Sequence, residues 1–398
     1  MGEKEAEAVR KVIGSGKLFR YNIGRECERF EKRWAEYLGV RHAALTSSGS
    51  TALTAALVGL GVGPGDEVII PSVTYMATAV AVLAAGAIPV IVDIDDTVTI
   101  DPEAVHDAAG KRTKAVIPVH MWGLSCDMDA LMKVAKKRNL LVIEDACQAV
   151  GGAYEGRMLG SIGHAGAFSF NYYKNISCGE GGALVSDNEK AMRRAGCYID
   201  CCNFYWQGRD PALEHFAAAG ARASEVMGAI LNVQLGRLPG MIKRMRAEKK
   251  KILEGTKKSG LEPIRAASLD YECGTHVMYT LPAPEQADRF ADRTGGTVVG
   301  KTGRHIYTEW DQVLDHKGAH HPALNPYLLK ENAGCRMNYT RDMCAKSLDI
   351  ADRTVMIATH PEHRAADVKK IITNINDTAA AVLKGASLSA GAEREGSG

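Results

Sequence analysis

The chain reads as an α/β protein with a mostly parallel sheet covered by helices on both faces. From about residue 20 to 190, short apolar strands alternate with helical segments, the pattern of a parallel sheet with crossover helices. The length of 398 residues is enough for one large domain and a smaller one.

Arg25 to Leu38 is an amphipathic helix, with Phe30, Trp34 and Leu38 on one face and Gly39 at its end. His42 to Thr46 is a short apolar strand, and Ser48-Gly49-Ser50-Thr51 opens a helix that continues through Ala52, Leu53, Ala56 and Leu57. Further strands are expected at Glu67 to Pro71, Pro89 to Ile94, Lys114 to His120 and Leu140 to Asp145. A helix with an acidic cap spans Asp127 to Lys137, and two closely spaced strands lie at Ala165 to Phe170 and Ala183 to Ser186. The large domain is assigned to residues 20–245. The basic helix from Arg237 to Lys251 leads into a smaller α+β domain at 246–385, onto which residues 1–19 are expected to pack. The Ser-, Gly- and Ala-rich tail at 386–398 has little to bury and is expected to be disordered.

The composition, 46% hydrophobic and 24% charged with a net charge of +2, is that of a soluble globular protein. It gives no reason to expect a nucleic-acid or membrane partner. The N-terminus lacks an apolar signal core, and the longest apolar stretch, Ala77 to Val92, is too short to span a bilayer. A cytoplasmic location is expected. The ten cysteines form no CxxC pair, so no metal site is assigned; Cys197, Cys201 and Cys202 cluster near His215, but free thiols in a reducing compartment fit them better.

Two segments carry the chemistry. Glu144-Asp145-Ala146-Cys147-Gln148-Ala149 places an acidic residue at the end of the apolar run Leu140 to Ile143. Phe168-Ser169-Phe170-Asn171-Tyr172-Tyr173-Lys174 continues into the glycine-rich turn Gly179-Glu180-Gly181-Gly182. Pyridoxal phosphate (PLP) chemistry needs these parts: a lysine amine for the Schiff base, a carboxylate for the pyridinium nitrogen, and hydroxyls and amides for the phosphate. Asp145 stands where open α/β sheets place ligands, at the carboxyl end of a core strand. Gly49, Ser50 and Thr51 begin a helix, whose free amides suit a phosphate.

The spacing of these segments resembles the sugar aminotransferases of the DegT/DnrJ/EryC1/StrS family, in which an EDA(A/C)Q segment precedes an SFxxxKxxxxGEGG segment. The resemblance covers most of residues 8–245. It implies the fold-type-I PLP-dependent transferase fold, with Lys174 and Asp145 catalytic and Gln148 near the ring hydroxyl. It places Ser169 and the stretch Ser48 to Leu53, matching the family's SGTxAL with Ser50 for threonine, at the phosphate. Tyr75, in Pro71 to Thr78, matches an aromatic that stacks on the cofactor, and His120-Met121-Trp122-Gly123 matches a turn walling the site. The family segment G-x-N-x-R-x-S-E departs here: Arg222, Ser224 and Glu225 match, but Gly220 stands where an asparagine would reach the partner subunit's cofactor.

The implied partners are glutamate or glutamine as amino donor, a keto- or aldehyde-sugar or keto-cyclitol as acceptor, and a second copy of the chain. Arg222 is a candidate for a substrate carboxylate, and Tyr307 and His320 lie in second-domain segments of the kind that close over an acceptor. A PLP-dependent dehydratase or aromatising enzyme of the same family, and a non-catalytic PLP-binding regulator, are the competing expectations.

Overall fold

The computed structural model of the chain describes residues 1–392 except Asn22, Asp210 and Ala219, with side chains through Leu383 except that of Gln207. The larger sheet is built from β1 (His42–Thr46), β2 (Glu67–Pro71), β3 (Ile88–Val92), β4 (Thr113–Val116) and β5 (Leu141–Asp145). After a small hairpin of β6 (Ala153–Tyr154) and β7 (Arg157–Met158), β8 (Ala165–Ser169) and β9 (Gly182–Ser186) complete it. The spatial order is β1-β9-β8-β5-β4-β2-β3. Neighbours from β3 to β8 pair in parallel, while β9 is antiparallel to both β8 and β1. All strands but β9 therefore end on one edge of the sheet, which is where this architecture collects ligands.

Both faces of the sheet are covered, and β2 shows why its sequence is apolar throughout. Val68 and Ile70 point into one core with Leu53, Leu57 and Ile143. Ile69 points into the other with Phe30, Trp34, Val142 and Phe168. The covering helices are α1 (Glu3–Ser15), α2 (Glu26–Leu38), α3 (Gly49–Gly59), α4 (Ala77–Ala84), α5 (Pro102–Ala108), α6 (Met128–Arg138), α7 (Glu189–Ile199), α8 (Asn203–Gln207) and α9 (Glu225–Leu235). The long α10 (Leu238–Thr256) leads to a second sheet of β10 (Glu262–Pro263), β11 (His276–Thr280), β12 (Thr297–Val298) and β13 (Thr354–Ala358). It is antiparallel, in the order β10-β11-β13-β12. With α11 (Pro284–Thr294) and α14 (Ala365–Ala392), it surrounds a core of its own that includes Ile252, Val277, Tyr279, Phe290 and Ile375, while α12 (Asp311–Leu314) and α13 (Ala345–Arg353) send Val313 and Ala351 into the core shared with the larger sheet.

Three expectations change. The strand expected over 114–120 stops at Val116, because Pro118 has no N–H for the ladder; its carbonyl instead accepts from Asp145 N at 2.9 Å. Helix α1, expected on the second domain, lies on α9. Its buried Glu5 accepts from Gln234 Nε2 at 2.7 Å and from Arg237 Nη2 at 3.0 Å, a polar anchor that hydrophobic periodicity does not reveal. The tail expected to be disordered from 386 falls within α14 as far as Ala392, and residues 393–398 lie outside the described residues.

Glu225 caps a helix other than its own. Its buried carboxylate accepts the amides of Glu26 at 2.6 Å and Cys27 at 3.3 Å, where Arg25 at the N-cap supplies no side-chain acceptor. Glu225→Ala strands one buried and one half-buried donor and is expected to lower unfolding stability by about 1.5–3 kcal/mol, read from a urea melt. A loss under about 0.5 kcal/mol would contradict this role.

Candidate active site

The carboxyl edge of the larger sheet gathers the polar groups singled out by sequence. Asp145, the last residue of β5, is buried and held by two donors. Thr78 Oγ1 donates to Oδ2 at 2.8 Å, and Cys147 N donates to Oδ1 at 3.1 Å. Thr78 is itself fixed by Thr74 Oγ1 at 2.8 Å, four residues earlier and just before α4. These contacts orient the carboxylate and leave it lone pairs for a further donor.

Helix α3 starts at the end of β1. Ser48, in extended backbone, caps it by accepting Thr51 N at 3.1 Å. The Thr51 hydroxyl is engaged with Ser48 Oγ at 3.0 Å and Ser47 Oγ at 3.3 Å, so Thr51 belongs to the cap. The amides of Gly49 and Ser50 have no acceptor among the described residues, and the Ser50 side chain is exposed. Gly49 is required by close approach: a Cβ there would stand 2.8 Å from both Cys147 Sγ and Ser169 Cβ. The helix N-terminus is thereby pressed onto the ends of β5 and β8. Gly182 serves the same packing from β9, since a Cβ there would fall on the Ser48 carbonyl.

Lys174 lies on the turn between β8 and β9, half-buried, with its amide bonded to Asn171 O at 3.1 Å. Its Nζ forms no hydrogen bond or ion pair with any described residue. Its charge is felt at Cys147, whose thiol is pushed well above its usual range by burial and then by the Asp145 charge, with Lys174 opposing. The same charge reaches His305, whose imidazole is held below its usual value mainly by burial, with a Thr302 carbonyl contact opposing and Lys174 and Arg304 lowering it further. Gln148, the residue after Cys147, is half-exposed, and no described side chain bonds its amide.

His305 was missed by sequence reading. Segment 304–307 pairs with segment 72–76: Thr74 N donates to His305 O at 2.9 Å, Met76 N to Arg304 O at 3.1 Å and Tyr307 N to Ser72 O at 2.9 Å. This clip sets the His305 ring between Tyr75 (centroids 5.5 Å) and Trp122 (5.7 Å). Thr74 and Thr78 were also passed over, although both stand in the quoted Pro71 to Thr78 motif at helical i, i+4 spacing.

Three further candidates have different surroundings. Tyr307 is fully buried; its hydroxyl donates to Arg341 O at 2.6 Å and accepts from Cys344 N at 3.2 Å, which makes it a core residue and corrects its assignment to substrate. His320 is exposed on the stretch between α12 and β13, with no contact to these groups among the described residues. Arg222 flanks the start of α3 through a backbone bridge to Thr46, and its half-exposed guanidinium reaches Asp200 at 3.4 Å. Glu225, three residues on, is occupied by the start of α2. Of the turn expected to wall the site, Trp122 packs on the His305 ring, while the buried His120 imidazole is spent on structure: Nδ1 accepts Cys126 N at 3.2 Å and Nε2 donates to Glu144 at 3.1 Å. Glu144 in turn accepts three amides of the loop at 160–163, so it is an anchor for that loop.

The donor set fits pyridoxal phosphate. Unused amides of Gly49 and Ser50 with the hydroxyls of Ser50 and Ser169 can hold a phosphate, Asp145 can face a ring nitrogen, and Lys174 supplies an unpaired amine. Among the described residues no group of three metal-ligating side chains comes together, and no helix is long and apolar enough to cross a membrane.

Known proteins carry the same pattern. Over 190 residues the chain is 48% identical to GDP-perosamine synthase of Caulobacter vibrioides, covering 46% of this chain and 51% of that one. Over 233 residues it is 40% identical to dTDP-3-amino-3,4,6-trideoxy-alpha-D-glucose transaminase of Streptomyces venezuelae, covering 58% and 59%. The chain spans about half the length of the curated relatives it matches. The solved structure of the aminotransferase from Psychrobacter cryohalolentis superposes over 96% of this chain and 98% of that one, with a TM-score of 0.78 at 26% identity. A family model matches residues 1–287, and the chain belongs to the DegT/DnrJ/EryC1/StrS aminotransferase family, with the fold-type-I architecture and pyridoxal phosphate as its cofactor.

Proposed function

We propose that this chain is a sugar aminotransferase that moves an amino group from glutamate or glutamine to a keto- or aldehyde-sugar or keto-cyclitol. The observation that carries this reading is the unpaired Lys174 amine, placed with Asp145 and the α3 N-terminus on one sheet edge. The bound cofactor would supply an electron sink for the carbon that exchanges its amino group. Asp145 would hold a proton on the ring nitrogen, with Thr78 and Cys147 N keeping the carboxylate aimed. Gly49, Ser50 and Ser169 would anchor the phosphate, Tyr75 would stack on the ring, and Gln148 would lie near the ring hydroxyl. Lys174 Nζ would move the proton on and off the substrate carbon. Glutamate supplied with a panel of keto-sugars in a coupled assay tests the reading: 2-oxoglutarate formed beyond one equivalent per site only when an acceptor is present supports it. Failure with every keto-sugar, together with water loss from any of them, would favour the dehydratase alternative.

Within the family, Leu18 to Asn22 and Glu144 to Gly156 look most like the transaminase that makes 8-amino-3,8-dideoxy-octulosonate, so a sugar acid joins the candidate acceptors.

The working form is proposed to be a cytoplasmic homodimer. Tyr172 and Tyr173, 78% and 83% exposed just before Lys174, leave a large apolar surface beside the site that a second copy would cover. Sedimentation showing only a fully active monomer would refute it.

Arg222 is proposed to bind the donor carboxylate, since a planar guanidinium forks onto a carboxylate as an ammonium cannot. Arg222→Lys is expected to raise the glutamate KM by roughly tenfold or more with the thermal midpoint kept. A loosened dimer with an unchanged glutamate KM would assign Arg222, through Asp200, to structure alone.

A further inference from the structure

We infer that Cys201 and Cys202 form a site of reversible oxidation, at which a small-molecule disulfide closes the adjacent sulfurs into a bond that displaces helix α8. The inference rests on the fold and not on the aminotransferase reading.

The pair stands apart from the other cysteines. Cys27, Cys126, Cys197, Cys273 and Cys344 are buried, and among the described residues no other cysteine has a second sulfur as its partner. Cys197, four residues before Cys201, has its thiol against Arg193 O and His215 Nδ1, each at 3.6 Å. Cys201 is half-buried and Cys202 exposed, with their sulfurs 3.8 Å apart. Extended backbone would send neighbouring side chains to opposite sides. Here Asn203 N donates to Asp200 O at 3.1 Å, so the two cysteines are the central residues of a tight turn between α7 and α8. Both thiols therefore face one way.

What the bond moves is set by the atoms inside the ring it closes. That ring contains the Cys201–Cys202 peptide, and the N–H of this peptide donates to Asp200 Oδ1 at 3.1 Å. Asp200 is buried; its carboxylate also holds the Tyr21 hydroxyl and lies 3.4 Å from Arg222 Nη1. Cys202 is the N-cap of α8, which carries Trp206 onto Phe19 (centroids 5.0 Å) and Tyr21 (6.0 Å). Bonded sulfurs must come well inside 3.8 Å, so the peptide turns, its N–H leaves Asp200, and α8 takes Trp206 off its aromatic neighbours.

The bond is also suited to reopening. A trans peptide holds neighbouring Cα atoms about 3.8 Å apart, inside the roughly 4.4 Å at which disulfides usually begin. A strained, exposed disulfide is readily reduced by cellular thiols, so this one forms under oxidation and is lost when the thiol pool recovers. In the chemical step, one cysteine thiolate attacks the small disulfide, expels its first thiolate and remains as a mixed disulfide. The neighbouring thiol gives up its proton and attacks the protein sulfur of that mixed disulfide, expelling the second thiolate. The cysteines lose two electrons and two protons, and the small disulfide takes the electrons as its sulfur–sulfur bond breaks.

The purified holoenzyme, treated with excess oxidised glutathione, is blocked with iodoacetamide under denaturing conditions and digested with trypsin without reductant. The peptide from Ala195 to Arg209 is expected to be lighter by two hydrogens at Cys201 and Cys202, with Cys197 alkylated and no glutathione attached. Tryptophan emission of the oxidised holoenzyme should move to longer wavelength, and dithiothreitol should reverse both changes. Trp206→Phe should keep the bond and lose the emission shift. Cys201→Ser and Cys202→Ser should each lose the lighter peptide, while Cys197→Ser should retain it. The two thiols bond only each other among the described residues, so their serine variants should keep the wild-type melting temperature. A glutathione adduct left on either cysteine of the wild type, or a bond that needs Cys197, overturns the inference. A bond that forms without any emission change overturns the coupling to α8. Neither readout involves turnover, so both stand apart from the aminotransferase reading.

Discussion

Lys174→Ala is expected to leave the protein folded and to abolish amino transfer. Lys174 Nζ has no hydrogen bond or ion pair among the described residues, so its removal breaks no stabilising contact. Stability should stay within about 0.5 kcal/mol of wild type in a thermal melt, as for other substitutions outside packed or paired positions. The catalytic loss is large because the same amine is assigned both the covalent tether and the proton transfer. General acid–base catalysis alone contributes roughly a hundredfold to ten-thousandfold. Cofactor retention should weaken less than activity, because Gly49, Ser50, Ser169 and Asp145 keep their positions. A variant that retains a tenth of wild-type turnover would remove Lys174 from the mechanism.

Asp145→Asn should give the second largest loss while preserving the fold. Both neighbours can be satisfied by an amide: Asn Oδ1 can accept Cys147 N, and Asn Nδ2 can donate to Thr78 Oγ1. What changes is the charge facing the ring nitrogen. Removing one preorganised electrostatic partner typically costs about 2.7–4 kcal/mol in the transition state, roughly a hundredfold to a thousandfold in rate. The glutamate half-reaction, followed by the bleaching of cofactor absorbance, should slow by that factor, with a much smaller change in cofactor affinity. A rate within a few-fold of wild type would mean that another acid holds the ring proton.

The legible part of this molecule is the part whose chemistry is local in sequence. Asp145 could be placed because an acidic residue ending an apolar run marks the carboxyl end of a core strand. The start of α3 could be placed because the cap, Ser48, and the glycine needed for close packing, Gly49, are adjacent. Arg304 and His305 reach the site only through pairing with residues 72–76, far away in the chain, and no spacing rule announces such a clip. Tyr307 misled for the same reason: its segment does approach the site, but the chain turns so that Tyr307 enters the core and His305 faces Tyr75 and Trp122. Glu144 and Asp145 are neighbours with opposite fates, one turned toward the loop at 160–163 and the other toward Thr78, as strand alternation requires. Helix α1 was expected on the wrong domain because its anchor to α9 is a buried polar contact from Glu5, which hydrophobic periodicity does not reveal.

The most direct test of the account is to reduce the purified, yellow holoenzyme with borohydride, digest it and map the modified peptide by mass. The account predicts a single phosphopyridoxyl adduct on Lys174. An adduct on any other lysine, or a protein that binds the cofactor and gives no covalent adduct, would contradict it.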